Sequence, residues 1–279
     1  MASPVTLEAS YAFARHIART RARNFYYSFL LLSRGQKDAM CAIYAFMRYC
    51  DDISEGDSAS QEAIDRWSQD LECALRGVFS ANPLWPAFHD TVRRYKIPHQ
   101  YFQEMIDGVS SDLHARQIQT FDELYRYCYQ VASVVGLTII HIFGFDSPEA
   151  LVLAEKCGIA FQLTNILRDV REDRESGRIY LPAEDIERFG ADLAQYDDRF
   201  IDLMRFEAER ARRYYNESRP LIGMVHEGSR RSLWALIEIY RRLLQRIERR
   251  NFAVLDGRVR VPAWEKVGIL ALASFHGNA

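Results

Sequence analysis

The stretch QLTNILRDVREDRESGRIYLP (162–182) decides how the chain is read. Gln162, Asn165, Asp169 and Asp173 recur there at three- and four-residue steps. At about 100° per residue they fall within an arc of roughly 80° on a helix, with Leu163, Ile166, Leu167 and Val170 in the neighbouring sector. Such a helix packs one side into a core and presents oxygen atoms on the next. Gly177 supplies its stop signal, since glycine accepts the left-handed backbone that closes many helices.

A second acidic face lies more than a hundred residues earlier, in IYAFMRYCDDISEG (43–56). Tyr44, Arg48, Asp51 and Glu55 share one helical side there, with Asp52 beside them. A single acidic stripe is accounted for by a solvated helix face. Two stripes bordered by apolar side chains are harder to keep, because ions next to apolar surface cost several kcal/mol each, about, unless positive charge compensates. Arg48 and Arg168 compensate in part. Mg²⁺ compensates better: it takes carboxylate oxygens, keeps some of its waters and completes its shell with substrate phosphate oxygens. Two acidic helices facing each other would make a diphosphate clamp.

The remaining chain sets the surroundings of that clamp. Its 279 residues and 48% apolar composition are enough to bury a core, and 14 glycines and 8 prolines are few punctuators for this length. Apolar residues recur at helical spacing over 5–22, 36–54, 59–78, 83–95, 98–110, 120–144, 148–175, 192–221, 229–251 and 262–273. Thr120 with Glu123 forms a capping box, and Ser147-Pro148-Glu149 opens the helix that carries the acids. With no internal repeat or linker, the expectation is all-α, one domain over 1–279. The formal charge of −2 offers no global field for nucleic acid. Five cysteines without a CxxC pair argue against a disulfide framework or structural zinc and fit a reducing cytoplasm. The N-terminus lacks the apolar region of a secretory signal, although its Arg-rich, amphipathic character leaves an organelle-targeting reading open. The near-apolar run 131–145 is too short to span a bilayer and reads as a core helix. No GxGxxG or P-loop is present, so bound phosphate must be held by metal or basic side chains.

Four segments taken together, FYYSF (25–29), YAFMRYCDDISE (44–55), YCYQVASVVG (127–136) and the opening stretch through GRIYLP, resemble in order and spacing the squalene/phytoene synthases. The resemblance runs from about residue 11 to 267 and implies an isoprenoid synthase fold with two Asp-rich motifs on opposite walls of a cavity. It implies head-to-head condensation of two allylic isoprenoid diphosphates, with Mg²⁺ on Asp51, Asp52, Glu55, Asn165, Asp169 and Asp173. Asp51 and Asp169 would be essential to catalysis, and Tyr127 matches the family's catalytic tyrosine. Two positions depart from the family pattern: Glu55 closes the first motif where aspartate is usual, and ARNF (22–25) stands where Ser-x-Ser-Phe is common.

Around the clamp, Phe25, Phe29 and Tyr129 are candidates to line the cavity, where aromatic faces attract a cation. Val131, Ala132, Val135 and Gly136 are placed to touch an isoprenoid tail, and Gln162 shares the acidic face. Arg48, Arg168 and Arg178 offer charge to diphosphate oxygens, and Tyr44 and Tyr240 offer hydroxyls. Gly136, which costs about 1 kcal/mol inside a helix, reads either as a bend beside substrate or as close helix packing. Asp107 and Asp112, five residues apart and therefore on different faces, read as helix ends. The arginine run 241–250 reads as a solvated face that also suits anionic lipid. The seven histidines show no metal-binding spacing.

The first expectation for the reaction is two farnesyl diphosphates giving presqualene diphosphate, in the manner of the hopanoid-type bacterial enzymes. Reduction onward to squalene would need NADPH, for which no recognisable motif is present. The alternative is phytoene from two geranylgeranyl diphosphates, with chain length set by cavity depth near Phe29 and Cys41. A terpene cyclase and a non-catalytic assembly factor are lesser readings. The expected setting is the cytoplasm, peripheral at the inner face of the membrane, with downstream pathway enzymes as partners.

Overall fold

The computed structural model describes residues 5–22, 25–54, 59–113 and 116–275, with the side chains of Phe25 and Phe275 outside that description. Helices begin where the sequence supplies caps. Thr6 opens α1 (Leu7–Arg21) by accepting the Ala9 N–H at 3.3 Å, and Ser60 opens α4 (Gln61–Leu75) by accepting that of Ala63 at 3.2 Å. Each satisfies a donor that the first turn leaves unpaired. Between them run α2 (Phe25–Phe29) and α3 (Arg34–Ser54), followed by α5 (Trp85–Arg94) and α6 (Gln100–Ser110). Phe46 of α3 joins these helices: it stacks on Trp67 of α4 at 5.6 Å and on Phe88 of α5 at 4.8 Å, and meets Phe102 of α6 edge-on at 5.4 Å. Such pairs contribute about 0.5–1.5 kcal/mol each beyond burial.

The helix expected over 120–144 is interrupted. It consists of α7 (Phe121–Cys128), a π-turn (Tyr129–Ser133) and α8 (Val134–Phe143). The distortion lies where the long α9 (Glu149–Glu175) crosses it. Gly158 lets the two backbones touch: a Cβ at that position would stand 2.4 Å from Ser133 Cα. Ser133 secures the crossing by donating its hydroxyl to the Glu155 carbonyl at 2.8 Å. Gly136 serves the same packing, since its Cβ would lie 3.2 Å from the Ala154 carbonyl oxygen. The bend therefore sits one turn before Gly136.

α9 ends as expected, with Gly177 at φ 75°. The chain then pairs β2 (Arg178–Ile179) in parallel with β1 (Arg116–Gln117), bringing Arg178 opposite Arg116. A short α10 (Ala183–Phe189) follows, then α11 (Asp198–Glu217), α12 (Leu221–Met224), α13 (Glu227–Arg249) and α14 (Ala263–Phe275). The helix expected from 192 starts at 198 because Asp197 caps it, accepting the Phe200 N–H at 2.8 Å. All five cysteines are free thiols. One buried cluster runs from α1 to the loop after α13, and α9 threads its centre, packing on α7, the π-turn, α8, α11 and α13.

α10 and α11 are tied to α7 by a buried ionic group. Arg210 donates to Asp185 and to Glu207, each at 2.8 Å, and its guanidinium lies 4.0 Å over the Phe121 ring. Burial pushes the Glu207 carboxyl up to about 8, against the opposing charge of Arg210. Its Oε2 has no partner as a carboxylate, but a proton there has Asp185 as acceptor. In the unfolded chain the same carboxyl titrates near pH ~4.3. The native state therefore holds the extra proton, and stability should fall as pH rises from about 5 to about 8. Glu207→Gln is expected to flatten that slope in thermal melts taken across the window. An unchanged slope would place the responsible group elsewhere.

Candidate active site

α3 and α9 bring the two acidic stretches to one cavity of about 370 Å³. Asp51 comes from α3, and Gln162, Asn165, Asp169 and Asp173 come from α9. Along α9 the lining changes from Ala154, Gly158 and Phe161 to the acids, giving the cavity an apolar end and an acidic one. The π-turn and α8 add Val131, Ala132, Val135, Gly136, Ile139 and Ile140 to the apolar part, and Leu221 and Leu233 contribute from α12 and α13.

A second, basic cavity of about 540 Å³ adjoins the first. The two share Met47, Asp51, Asn165, Arg168 and Tyr240. Tyr44 and Arg48 of α3 line it, together with Arg21 of α1 and Arg258, Arg260 and Lys266 from the C-terminal segment. Tyr240 stands at the junction, its ring stacked on Phe161 at 4.2 Å.

Arginines hold the acids. Arg48 donates through Nε to Asp52 at 2.8 Å and lies 3.6 Å from Asp51, while Arg21 reaches Asp52 at 3.0 Å. Arg168 grips Asp169 with two donors, one at 2.7 Å, and Arg258 adds a third at 2.8 Å. Asp173 is pushed up to about 7 by burial and then by Asp169, with Arg178 opposing. Asn165 Oδ1 is buried without a hydrogen-bond partner among the described residues. An orphaned oxygen and, two turns further along the same helix, a reluctant carboxylate fit hard divalent cations, which would ligate the amide and ionise the acid. Among the described residues no three acids converge closely enough to hold a metal by themselves. Substrate diphosphate oxygens and water would have to complete such a shell.

At the acidic end, Tyr127 donates its hydroxyl to Asp112 Oδ2 at 2.9 Å, and Tyr180 donates to Oδ1 at 2.8 Å. The two rings stack at 4.7 Å, and Arg116 lies 5.4 Å over that of Tyr127. Burial raises the Tyr127 phenol well above its usual range and raises Asp112 as well, although both tyrosine hydrogen bonds oppose the latter shift. Tyr127 is thus a neutral phenol near pH 7, oriented by a carboxylate.

Several residues stand elsewhere than the sequence suggested. Asp112 is not merely a helix end; it is the acceptor for Tyr127. Phe29 and Cys41 are packed in the core, outside the cavity lining. Tyr129 also leaves the lining and donates to Glu104 of α6 at 3.1 Å, because the π-turn shifts the helical phase. Asp52 lies outside both linings, turned to Arg21 and Arg48. Glu55 and the side chain of Phe25 fall outside the described residues. Arg178 lines the first cavity. In the basic run of α13, Arg242 and Arg246 bind Glu265 of α14.

A family model described as squalene/phytoene synthase matches residues 18–265. The chain belongs to the squalene/phytoene synthase family. Among curated relatives, the phytoene synthase of Arthrospira platensis is 37% identical over 100% of this chain and 96% of its own. The 15-cis-phytoene synthase of Synechocystis sp. is 36% identical over 96% and 85%. Among solved structures, a dehydrosqualene synthase superposes with a TM-score of 0.90 at 29% identity, covering 97% of each chain. The squalene synthase HpnC from Alicyclobacillus acidocaldarius gives 0.82 at 26%, covering 90% of this chain and 97% of its own. The fold is the all-α isoprenoid synthase fold, and the chain is a prenyltransferase. Squalene/phytoene synthases act on prenyl diphosphates and use divalent metal ions.

Proposed function

We propose that the chain joins two geranylgeranyl diphosphates head to head, through a cyclopropyl intermediate, to give phytoene. The observation that carries this choice is that relatives matching nearly the whole chain at 36–37% identity are phytoene synthases. It replaces two farnesyl diphosphates as the first reading. The farnesyl reading keeps one support: the likeness to a dehydrosqualene synthase and to HpnC.

In this reading Asp51, Asn165, Asp169 and Asp173, with Glu55, hold Mg²⁺, which when bound supplies the Lewis-acid charge that stabilises a leaving diphosphate. Arg48, Arg168 and Arg258 lie beside the acids and offer guanidinium donors to the diphosphate oxygens. The apolar end of the cavity receives the tails and keeps water from the allylic cation. Tyr127 points its hydroxyl at Asp112, so a proton leaving the substrate at the phenol oxygen can be matched by transfer of the phenolic proton to the carboxylate. Tyr127→Phe is expected to lower kcat by about 100-fold or more with little change in KM. An unaltered kcat would assign the proton to the departing diphosphate.

The direct test incubates protein and Mg²⁺ with each diphosphate separately, with and without NADPH, and identifies products by mass spectrometry. A forty-carbon product from geranylgeranyl diphosphate supports the proposal. A thirty-carbon product from farnesyl diphosphate alone overturns it in favour of the second reading.

A further inference from the structure

The apolar part of the first cavity has a depth that its helices measure. One turn inside Asn165, Phe161 of α9 stacks on Tyr240 of α13 at 4.2 Å. Seven residues back on each helix, two turns and about 10 Å deeper, Ala154 and Leu233 line the same cavity. No described residue earlier on α9 than Ala154 lines it. Ile140 of α8 and Leu221 of α12, both fully buried, close the space beyond. That floor is pinned to the turn between α8 and α9. His226 donates its backbone N–H to the Gly144 carbonyl at 2.9 Å, Val225 forms a bridge with Phe145, and Ser229 donates its hydroxyl to the Phe143 carbonyl at 2.9 Å. α12 and the start of α13 are therefore held in place, and the floor has a fixed position.

We propose that this floor gauges the length of the isoprenoid tail, with Ala154 admitting a fourth isoprene unit and Leu221 stopping a fifth; the inference deepens the substrate reading above and rests on it. At about 1.5 Å per residue, Ala154 lies about 22 Å along α9 from Asp169, where the diphosphate departs in that reading. An isoprene unit adds four chain bonds of about 1.5 Å each, or about 5 Å when extended. Three units therefore end near Gly158, and a fourth reaches the space beside Ala154. Alanine presents a single carbon there, so the space stays open; a longer side chain would fill it. Ile140 and Leu221 stand where a fifth unit would go. One methylene more or less in an apolar pocket changes specificity by about 10- to 200-fold, so a five-carbon step against a fixed floor gives ample discrimination. Phe29 and Cys41, packed outside the lining, do not touch a tail in this cavity.

The experiment titrates the protein, with Mg²⁺ present, against unreactive thiolodiphosphates carrying geranyl, farnesyl, geranylgeranyl or geranylfarnesyl tails, and follows turnover of the matching diphosphates. The wild type should bind the geranylgeranyl analogue most tightly. Ala154→Leu should weaken that binding by at least about tenfold and move the optimum to farnesyl, whereas Leu221→Ala should strengthen geranylfarnesyl binding by at least about tenfold. The geranyl analogue ends short of the floor, so its affinity should change least in both. Melting temperatures establish that each variant folds, and if Ala154→Leu does not, Leu221→Ala alone decides. An optimum that stays in place in a folded variant overturns the proposal, as does an equal loss of affinity for every tail. If the wild type prefers farnesyl, the substrate reading fails; the floor then stands as the gauge only if Leu221→Ala moves the optimum to geranylgeranyl, and is overturned if it does not.

Discussion

Asp169→Asn should lower turnover by at least about a thousandfold and leave the protein folded. Asp169 lies on the α9 face whose orphaned Asn165 oxygen and raised Asp173 carboxyl call for a cation, so losing its charge removes a ligand at the point where the diphosphate departs. Asparagine keeps the volume and one acceptor for Arg168 and Arg258, both of which bond to Asp169 in the resting protein. Alanine would instead leave Arg168, with 13% of its side chain exposed, without that acceptor and add a stability cost of about 1–3 kcal/mol. Asp51→Asn should act in the same direction from α3. The check is product formation alongside near-UV circular dichroism. Wild-type turnover in both asparagine variants would mean that the two acidic faces do not form the clamp.

Gly158→Ala should lower stability strongly. The site is helical, where alanine normally gains about 1 kcal/mol over glycine. Here the new Cβ would meet Ser133 Cα at 2.4 Å, Ser133 N at 2.7 Å and the Ala132 carbonyl carbon at 2.9 Å. All three are backbone atoms, so no rotamer change relieves the overlap and α9 must move off the π-turn. A net loss of about 2–4 kcal/mol is expected, read as a fall in melting temperature of roughly 5–15 °C for a chain of this size. Gly268→Ala, with nothing within 4 Å of the added atom, is the control and should be neutral or slightly stabilising. Equal melting temperatures for the two variants would mean that the crossing tolerates separation.

The long helices were legible because each is many turns of apolar repeat with few glycines or prolines to break it. α2, α10 and α12 were not, because segments of four to seven residues hold too little of a period to register. The acids of α9 were legible for the same periodic reason. Asp112 was not: its partnership with Tyr127 joins the end of α6 to α7, and no spacing along the chain encodes it. Arg258 comes from a loop and meets Asp169 across 89 residues, equally without a local signal. Tyr180 stood in the quoted stretch, but its ring partner lies in another element. Tyr129 was misplaced because a uniform repeat of 3.6 was carried through a turn that does not obey it.

That turn contains one residue more than an α-helix needs over the same path. Excising a residue from Tyr129–Ser133 would let α7 run unbroken into α8, and local hydrogen bonding would favour the result. It would also swing α7 by about 100° around the common axis relative to α8. Tyr127 would leave Asp112, and the wall it now shares with Val135 and Ile139 would be split between two sides of the helix. The segment should therefore accept substitutions far more readily than single-residue deletions, because its length acts as a phase adjustment that keeps the phenol and the apolar wall facing the same space.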